Sequence, residues 1–317
     1  MEKESLHIVR YTPDKQELWD TFVAQSRNGT FLHKRAYMDY HSLRFDDHSL
    51  LFYRGDELTA LLPANVKEDT IASHSGLTYG GLILGNSATA RGVLQIFEAL
   101  LHYISTETTA TTLLYRPVPH IYHRYPCEEE LYALFRSGAQ LVERKISSTI
   151  ELDARIPPRG RRKLTAAAKS RLHISEAHDY SPFWHILGSR LQDKYGVAPV
   201  HTLQEIELLH SRFPQNIRLY CISDSSGTLL GGTLLYITDR VAHMQYTGST
   251  DEGRRTGALD YLYEYIFEQL RPAIRYFDFG ISTEEGGHYL NDGLIAYKER
   301  LGGRATMYDA YTIEIKR

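Results

Sequence analysis

Two halves of this chain carry the same features in the same order, and this repeat constrains the fold more than any other property of the sequence. The only two tryptophans, Trp19 and Trp184, lie 165 residues apart, each in an amphipathic stretch. Each is followed by a polar turn between two apolar runs, then a helix, a strand, a loop, a short helix and a final strand. The sequence therefore predicts an internal duplication, with two unrelated α/β halves as the alternative.

Matching helices and strands set the expected order of elements. Apolar residues recur at helical spacing over residues 90–104 and again over residues 257–270. Each half predicts helix, helix, β-hairpin, strand, helix, strand, helix and strand, which is a mixed sheet with helices on its faces. We expect an N-terminal domain over residues 1–154 and a C-terminal domain over residues 155–317, with the pair Pro157-Pro158 near the boundary.

Composition and missing motifs exclude several classes of protein. Lys and Arg total 36 against 39 Asp and Glu, and the net charge of −3 argues against binding to duplex DNA. Cys127 and Cys221 form no metal-binding pair, and His120 and His123 have no clustered third ligand, so no metal is expected. Walker A, GxGxxG and GxSxG motifs are missing. No stretch has the length and apolar character of a membrane span or leader, which predicts a cytoplasmic protein.

The strongest concentration of positive charge lies at the start of the second half. Residues 155–172 contain seven Lys and Arg residues and no acid. Arg159, Arg162 and Lys163 have the spacing of neighbours on one face of a helix, near its expected N-terminus. Cations combined with the free N–H groups of a helix N-terminus suit the phosphate of a nucleotide, a nucleotide sugar or a tRNA. A solvated basic helix face is the alternative.

A second candidate phosphate site follows a predicted strand and opens the helix at 257–270. It consists of Gly253, Arg254, Arg255 and Gly257. Glycines let the backbone approach a ligand closely, and a helix N-terminus can hold a pyrophosphate. An ordinary loop with two glycines is the alternative.

Five short segments of the second half carry a family resemblance. They are a basic helix at 161–164, a glycine pair at 231–232, a strand, loop and helix at 253–259, the sequence Phe-Asp-Phe-Gly at 277–280, and Tyr-Lys-Glu-Arg-Leu-Gly-Gly at 297–303. These segments resemble the FemABX-like branch of the GNAT acyltransferase superfamily, whose members contain two tandem GNAT-like domains. The resemblance is clearest over residues 150–317 and only architectural over residues 1–149.

The resemblance implies a fold and an activity. The expected fold is α/β, with two tandem GNAT-like (acyl-CoA N-acyltransferase) domains. The expected reaction is acyl transfer from an acyl-coenzyme A (acyl-CoA) or an aminoacyl-tRNA to an amine on a cell-envelope or other precursor, including a nucleotide-linked sugar or peptide. Leu259 stands where the family's coenzyme A loop has a small residue. A binding or scaffold protein with a degenerate GNAT fold is therefore the alternative.

Two residues are candidates for the chemical step. Lys298, after Tyr297, resembles the lysine of the family's aromatic-Lys pair and would stabilise negative charge on the reacting carbonyl or grip a donor phosphate. A surface lysine is the alternative. Asp278 ends a buried predicted strand, where ligands of open α/β sheets bind, so it is the first candidate for a general base. A capping or ion-pair role is its alternative.

Polar residues near the central strands and the following loop form a predicted acceptor cleft. Residues 78–81 match residues 246–249 of the second half, which predicts duplicated central strands. The side chains of His74, Tyr79, His243, Gln245 and Tyr246 on these strands would face one cleft, with satisfied core histidines as the alternative. Asn291 would orient an acceptor or cap the helix that carries Lys298. The full predicted acceptor set is Tyr79, His243, Gln245, Tyr246, Ser282, Asn291 and Tyr297.

Overall fold

The chain folds into two units, each assembled from more than one segment. The computed structural model describes residues 5–154 and 164–316. Unit 1 comprises Met1–Ile146, Thr283–Tyr289 and Met307–Arg317, and unit 2 comprises Ser147–Ser282 and Leu290–Thr306. The sequence division at residue 154 stays a prediction about the two repeats, because segments from the second repeat belong to unit 1.

The first part of the chain contains nine strands and four α-helices among its described residues. Their bounds are β1 (Leu6–Arg10), α1 (Gln16–Gln25), α2 (Arg35–Met38), β2 (Asp46–Asp47), β3 (Leu50–Arg54), β4 (Glu57–Leu62), β5 (Asn65–Lys67), β6 (Thr70–Ala72), β7 (Ile83–Leu84), α3 (Ala90–Glu107), β8 (Thr112–Tyr115), α4 (Glu129–Arg136) and β9 (Gln140–Glu151). Trp19 is fully buried on α1, as its amphipathic stretch predicts.

The second part contains eight strands and six α-helices among its described residues. Its elements are α5 (Ala166–Lys169), β10 (Leu172–Ala177), α6 (Ser181–Tyr195), α7 (Leu203–Arg212), β11 (Ile217–Asp224), β12 (Leu229–Ile237), β13 (Val241–Ser249), α8 (Asp251–Thr256), α9 (Ala258–Leu270), β14 (Tyr276–Ile281), β15 (Thr283–Glu284), β16 (Tyr289–Leu290), α10 (Asp292–Arg300) and β17 (Arg304–Glu314). The predicted mixed α/β architecture is confirmed. Within the described residues, no helix combines the length and apolar character needed to span a membrane.

Unit 1 is built around helix α3. Thr89 caps this helix by accepting a hydrogen bond from the Gly92 N–H at 3.1 Å, which satisfies one of its free amide donors. Val93, Phe97 and Leu100 recur at helical spacing and are buried against β3, β4 and β8. Strands β1, β3, β4 and β7 form an antiparallel sheet, while β8 pairs in parallel with β6 and antiparallel with residues 311–314 of β17.

Unit 2 contains the strands that position the candidate site. Strands β10 to β13 are antiparallel neighbours, and β14 joins β13 in parallel. On the other edge, β14 pairs antiparallel with residues 147–151 of β9. Tyr263 and Phe267 of α9 pack edge-on against Phe277 and Phe279, so these alternate residues of β14 face α9.

One predicted match between the halves is wrong in its local structure. The sequence aligns residues 78–81 with residues on strand β13, but His74 and Tyr79 lie in a loop between β6 and β7. Gly81 adopts a φ of +75°, and a Cβ on Gly80 would stand 1.8 Å from the carbonyl oxygen of Ser73. Positive φ and this close approach favour glycine in a turn over a regular strand.

Candidate active site

Strands β13 and β14 separate in the middle of unit 2. Their parallel pairing covers only Val241–His243 and Tyr276–Asp278, whereas β13 continues to Ser249 and β14 to Ile281. His243 and Asp278 are the last paired residues before the strands diverge. A gap that opens at the carboxyl ends of parallel strands is the usual place for a ligand in an α/β sheet.

A β-bulge in β13 lies directly after this point. Leu235 pairs with Met244 and Leu234 with Tyr246, so Gln245 is the extra residue. The side-chain Oε1 of Gln245 is buried and has no hydrogen-bond partner among the described residues. Bulges commonly occur next to active sites, where they redirect a side chain, and an unpaired buried amide oxygen is available to a ligand.

A cavity of about 420 Å³ opens beside the second half of β13. Its size falls within the usual range for small-molecule sites. Four of the predicted donor and acceptor residues contribute to its wall: Gly253, Arg254, Gly257 and Tyr297. The lining residues are Thr247, Ser249, Gly253, Arg254, Gly257, Leu259, Asp260, Tyr263, Tyr297, Arg300 and Leu301.

The predicted glycine loop forms a short helix in the structure. Thr250 caps α8 by accepting a hydrogen bond from the Gly253 N–H, and Gly257 then takes a left-handed φ of +76° before α9 begins. A Cβ on Gly253 would stand 2.2 Å from the carbonyl oxygen of Leu230, so only glycine lets α8 pack this closely on β12. Gly253 and Gly257 therefore shape the wall of the cavity.

The two neighbouring arginines of α8 differ in their placement. Arg254 lines the cavity, donates a hydrogen bond to the Ser249 carbonyl oxygen at 2.9 Å and pairs with Asp251. Arg255 forms a two-point ion pair with Glu252 on the exposed surface and is not among the lining residues. Of the two arginines predicted to bind phosphate, Arg254 lies at the cavity and Arg255 does not.

The other predicted phosphate site falls outside the described residues. Arg159, Arg162 and Lys163 belong to the segment 155–163, on which the structure gives no information. The described residues that follow this segment contain the short helix α5, which Thr165 caps. Lys169 of α5 forms an ion pair with Glu264 of α9 at 3.0 Å.

Lys298 is buried, contrary to the alternative of a surface lysine. Its Nζ donates hydrogen bonds to the carbonyl oxygens of Gly280 at 2.8 Å and Ile281 at 2.7 Å, on the diverging end of β14. Loss of hydration lowers the pKa of Lys298 to about 8, while the charge of Asp278 opposes this shift. An ammonium group has three N–H donors, so the two carbonyls leave one for a ligand.

Asp278 is completely enclosed by hydrogen-bond donors. Its Oδ1 accepts hydrogen bonds from the Ser147 hydroxyl and from the Gly280 N–H at 3.1 Å. Its Oδ2 lies 2.9 Å from Nδ1 of His243, whose side chain is 14% exposed. Asp278, the predicted general base, therefore contacts the gap between β13 and β14 through His243.

The remaining predicted acceptor residues separate into different places. Tyr246 contacts Nδ1 of His201 through its hydroxyl at 2.7 Å. Ser282 has a buried hydroxyl with no hydrogen-bond partner among the described residues. Asn291 caps α10, because its Oδ1 accepts a hydrogen bond from the Leu294 N–H. Tyr79 belongs to unit 1, where its hydroxyl contacts Thr30.

Sequence reasoning missed Tyr263 and Thr247. Tyr263 lines the cavity from α9, and its hydroxyl lies 2.8 Å from Oγ1 of Thr247 and 3.3 Å from Sδ of Met244. In the sequence, Tyr263 occupies an apolar position of α9, which indicates a core residue. The packing of α9 against β13 is needed to see that its hydroxyl faces a cavity. Within residues 5–154 and 164–316, no group of three or more potential ligands could hold a metal ion.

Comparisons with known proteins agree with this arrangement. Residues 158–299 match the family model described as the acetyltransferase (GNAT) domain. The segment contains β13, β14 and most of the cavity wall. No curated protein is significantly similar to the chain.

Solved structures extend the likeness over the whole chain. The crystal structure of FemX has a TM-score of 0.66 at 11% identity, with 97% of each chain covered. The C-terminal domain of a putative lysylphosphatidylglycerol synthetase from Agrobacterium fabrum has a TM-score of 0.58 at 11% identity, covering 96% of this chain and 92% of that chain. A tandem GNAT protein from the clavulanic acid biosynthesis pathway has a TM-score of 0.55 at 16% identity, with 99% of each chain covered. These likenesses confirm the expected fold of two tandem GNAT-like domains.

Proposed function

We propose that this chain is an acyltransferase and that it transfers an acyl group to a primary amine. Two findings support the proposal: residues 158–299 match the acetyltransferase (GNAT) domain, and the whole chain has the fold of FemX and of a tandem GNAT protein. The donor is an acyl-CoA thioester bound in the cavity of unit 2. The observation that carries this proposal is the cavity itself. It lies beside the part of β13 that follows the last pairing with β14, and its wall contains Arg254 and Gly257, the residue that precedes α9.

The walls of the cavity suit an extended donor with charged and apolar parts. Arg254 and Arg300 supply positive charge for phosphate groups, and Leu259 and Leu301 supply apolar surface for the acyl-bearing arm. Arg159, Arg162 and Lys163 would add phosphate contacts in the segment that precedes α5.

Lys298 and Asp278 are the residues proposed to act in the chemical step, Lys298 as the catalytic residue. Lys298 would stabilise the negative charge that develops on the acyl carbonyl oxygen, since one of its N–H donors is not used by Gly280 and Ile281. Asp278 would assist the removal of a proton from the acceptor amine. Gln245 and Ser282 carry buried polar atoms without partners among the described residues, so they are proposed acceptor contacts.

The proposed acceptor is an amine on a cell-envelope precursor, and aminoacyl-tRNA is the alternative donor. FemX and a putative lysylphosphatidylglycerol synthetase share this fold, and the name of the second supports an envelope component as the acceptor. The tandem GNAT protein from the clavulanic acid biosynthesis pathway, which is described as without AcCoA, supports acyl-CoA as the donor. A protein made in the cytoplasm would meet both donors.

Calorimetric titration with acetyl-CoA tests the donor site, and two neighbouring arginines provide a matched pair of variants. We expect saturable binding by the unaltered protein and a roughly 10-fold weaker affinity for Arg254→Ala, because a charge-assisted contact to phosphate is lost. Arg255→Ala should change the affinity less than about twofold, since this side chain pairs with Glu252 outside the cavity.

The same titration separates the alternatives. If acetyl-CoA does not bind at millimolar concentration, the acyl-CoA donor is wrong, and titration with aminoacyl-tRNA then decides between a tRNA-dependent transferase and a scaffold with a degenerate fold. Equal losses of affinity for the two arginine variants would show that binding occurs away from the cavity.

A further inference from the structure

We propose that His243 is the base that accepts the proton of the acceptor amine, and that Asp278 positions the His243 ring for this step. The inference rests on the proposed acyl transfer and identifies its proton-transfer group. Both residues stand at the end of the parallel pairing between β13 and β14, where the strands separate.

Asp278 is shielded from any substrate by its surroundings. The residue is fully buried, and its two carboxylate oxygens accept hydrogen bonds from Ser147, Gly280 and His243. A proton acceptor must come within hydrogen-bond distance of the proton it takes, which an enclosed carboxylate does not achieve. Its contact with Nδ1 of His243 at 2.9 Å instead makes it an orienting group for the ring.

The orientation of the His243 ring leaves its Nε2 atom available for proton transfer. When Nδ1 donates its hydrogen to Asp278, the neutral ring carries its lone pair on Nε2. The side chain of His243 is 14% exposed, whereas that of Asp278 is 0% exposed. Among the described residues, no hydrogen bond to Nε2 of His243 is found. The lone pair is therefore available to a substrate.

His243 and the donor cavity lie on opposite faces of the β13–β14 opening. Phe277 and Phe279 face α9, which lines the cavity, so the intervening Asp278 and its partner His243 face the other way. An amine can then approach the acyl carbonyl from the face opposite the donor. Approach from opposite faces keeps donor and acceptor from competing for the same space.

His243, the proposed base, and Lys298 both lie next to Gly280. A Cβ on Gly280 would stand 3.5 Å from Cε1 of His243, and the carbonyl oxygen of the same residue accepts a hydrogen bond from Nζ of Lys298 at 2.8 Å. The carbonyl-polarising group and the base thus flank one residue of β14.

The proposed step balances in atoms and charge. The amine nitrogen attacks the acyl carbon, forming a C–N bond, while Nε2 of His243 takes one N–H proton. The tetrahedral intermediate then breaks the C–S bond of a thioester, or the C–O bond of an aminoacyl ester. The proton returns from His243 to the departing thiolate or alkoxide, so the products are an amide and a thiol or alcohol.

The test compares turnover and rescue in three variants of the full chain. Thiol release from acetyl-CoA, and amide formation from aminoacyl-tRNA, are measured with a panel of amino acids, amino sugars and polyamines. We expect His243→Ala to lower kcat by about 10²- to 10⁴-fold with little change in donor affinity, and added imidazole to restore at least about tenfold of the loss. His173→Gln, an exposed histidine on β10, should retain full turnover.

Asp278→Asn tests the positioning role separately. We expect a similar loss in kcat, and nitrogen NMR of the ring should show that the proton of His243 is no longer held on Nδ1. If the unaltered protein turns over and His243→Ala is equally active, or is inactive without imidazole rescue although folded, the assignment to His243 is wrong. If the unaltered protein transfers no acyl group from either donor, the proposed function fails first.

Discussion

Replacing Lys298 with methionine is expected to lower kcat by about 10²- to 10³-fold while the affinity for acetyl-CoA changes less than about threefold. Methionine fills a similar volume but removes the donor that would stabilise negative charge on the reacting oxygen. Steady-state kinetics together with calorimetric titration measure the two effects. Turnover equal to that of the unaltered protein would show that Lys298 only supports the carbonyl oxygens of Gly280 and Ile281.

Thermal unfolding distinguishes this loss from misfolding. Burial lowers the pKa of Lys298 from 10.5 to about 8. Between these pH values the unfolded chain binds a proton that the folded chain has released, so this group's contribution to the free energy of unfolding rises with pH across that window. Below pH 8 the buried ammonium costs about 3 kcal/mol. The methionine variant should therefore melt no more than a few degrees lower, even though two carbonyls lose a donor.

The second large effect concerns stability, and it comes from Glu130 in unit 1. This side chain is almost fully buried, and the desolvation of its carboxylate raises its pKa from 4.5 to about 8. Between these values the folded chain keeps a proton that the unfolded chain has released, so the free energy of unfolding falls as pH rises through this window. Integrated over the window, the loss is about 4 kcal/mol.

Glu130→Gln should remove this pH dependence and stabilise unit 1 at pH 8. Glutamine keeps an oxygen that can accept the hydrogen bonds from the Tyr115 hydroxyl and the Leu82 N–H, but it carries no charge. Denaturant unfolding at pH 5 and at pH 8 gives the comparison, with Glu128→Gln, an exposed neighbour, as the control. A parallel fall in stability for the Glu130 variant and the unaltered protein would assign the pH dependence to another group.

The order of elements was predictable because it depends on local periodicity. Neighbouring residues are enough to recognise the apolar spacing of α3 and α9. The same holds for the polar turns between β3 and β4 and between β11 and β12. The aligned string at 78–81 misled because its glycines support a tight loop as readily as a strand. Local similarity does not determine whether another strand is present to pair with it.

The candidate site was predictable in its residues but less so in their arrangement. The sequence predicts Lys298, Asp278 and His243 as site residues, and the structure places them around the end of the β13–β14 pairing. The bulge at Gln245 depends on register with β12, and the enclosure of Asp278 depends on Ser147, more than a hundred residues earlier in the sequence. Both are properties of the packed sheet, so no local pattern reports them.

The segments that make up each unit have a consequence for the order in which the protein can fold during synthesis. Residues 311–314 pair with β8 inside unit 1, yet the ribosome makes them after the whole stretch Ser147–Ser282 of unit 2. One edge of β8 therefore lacks this partner while unit 2 is being synthesised, and an unpaired strand edge invites association with other chains. The N-terminal part of this protein would depend on rapid completion of the chain, or on a chaperone, to protect that edge until its last strand arrives.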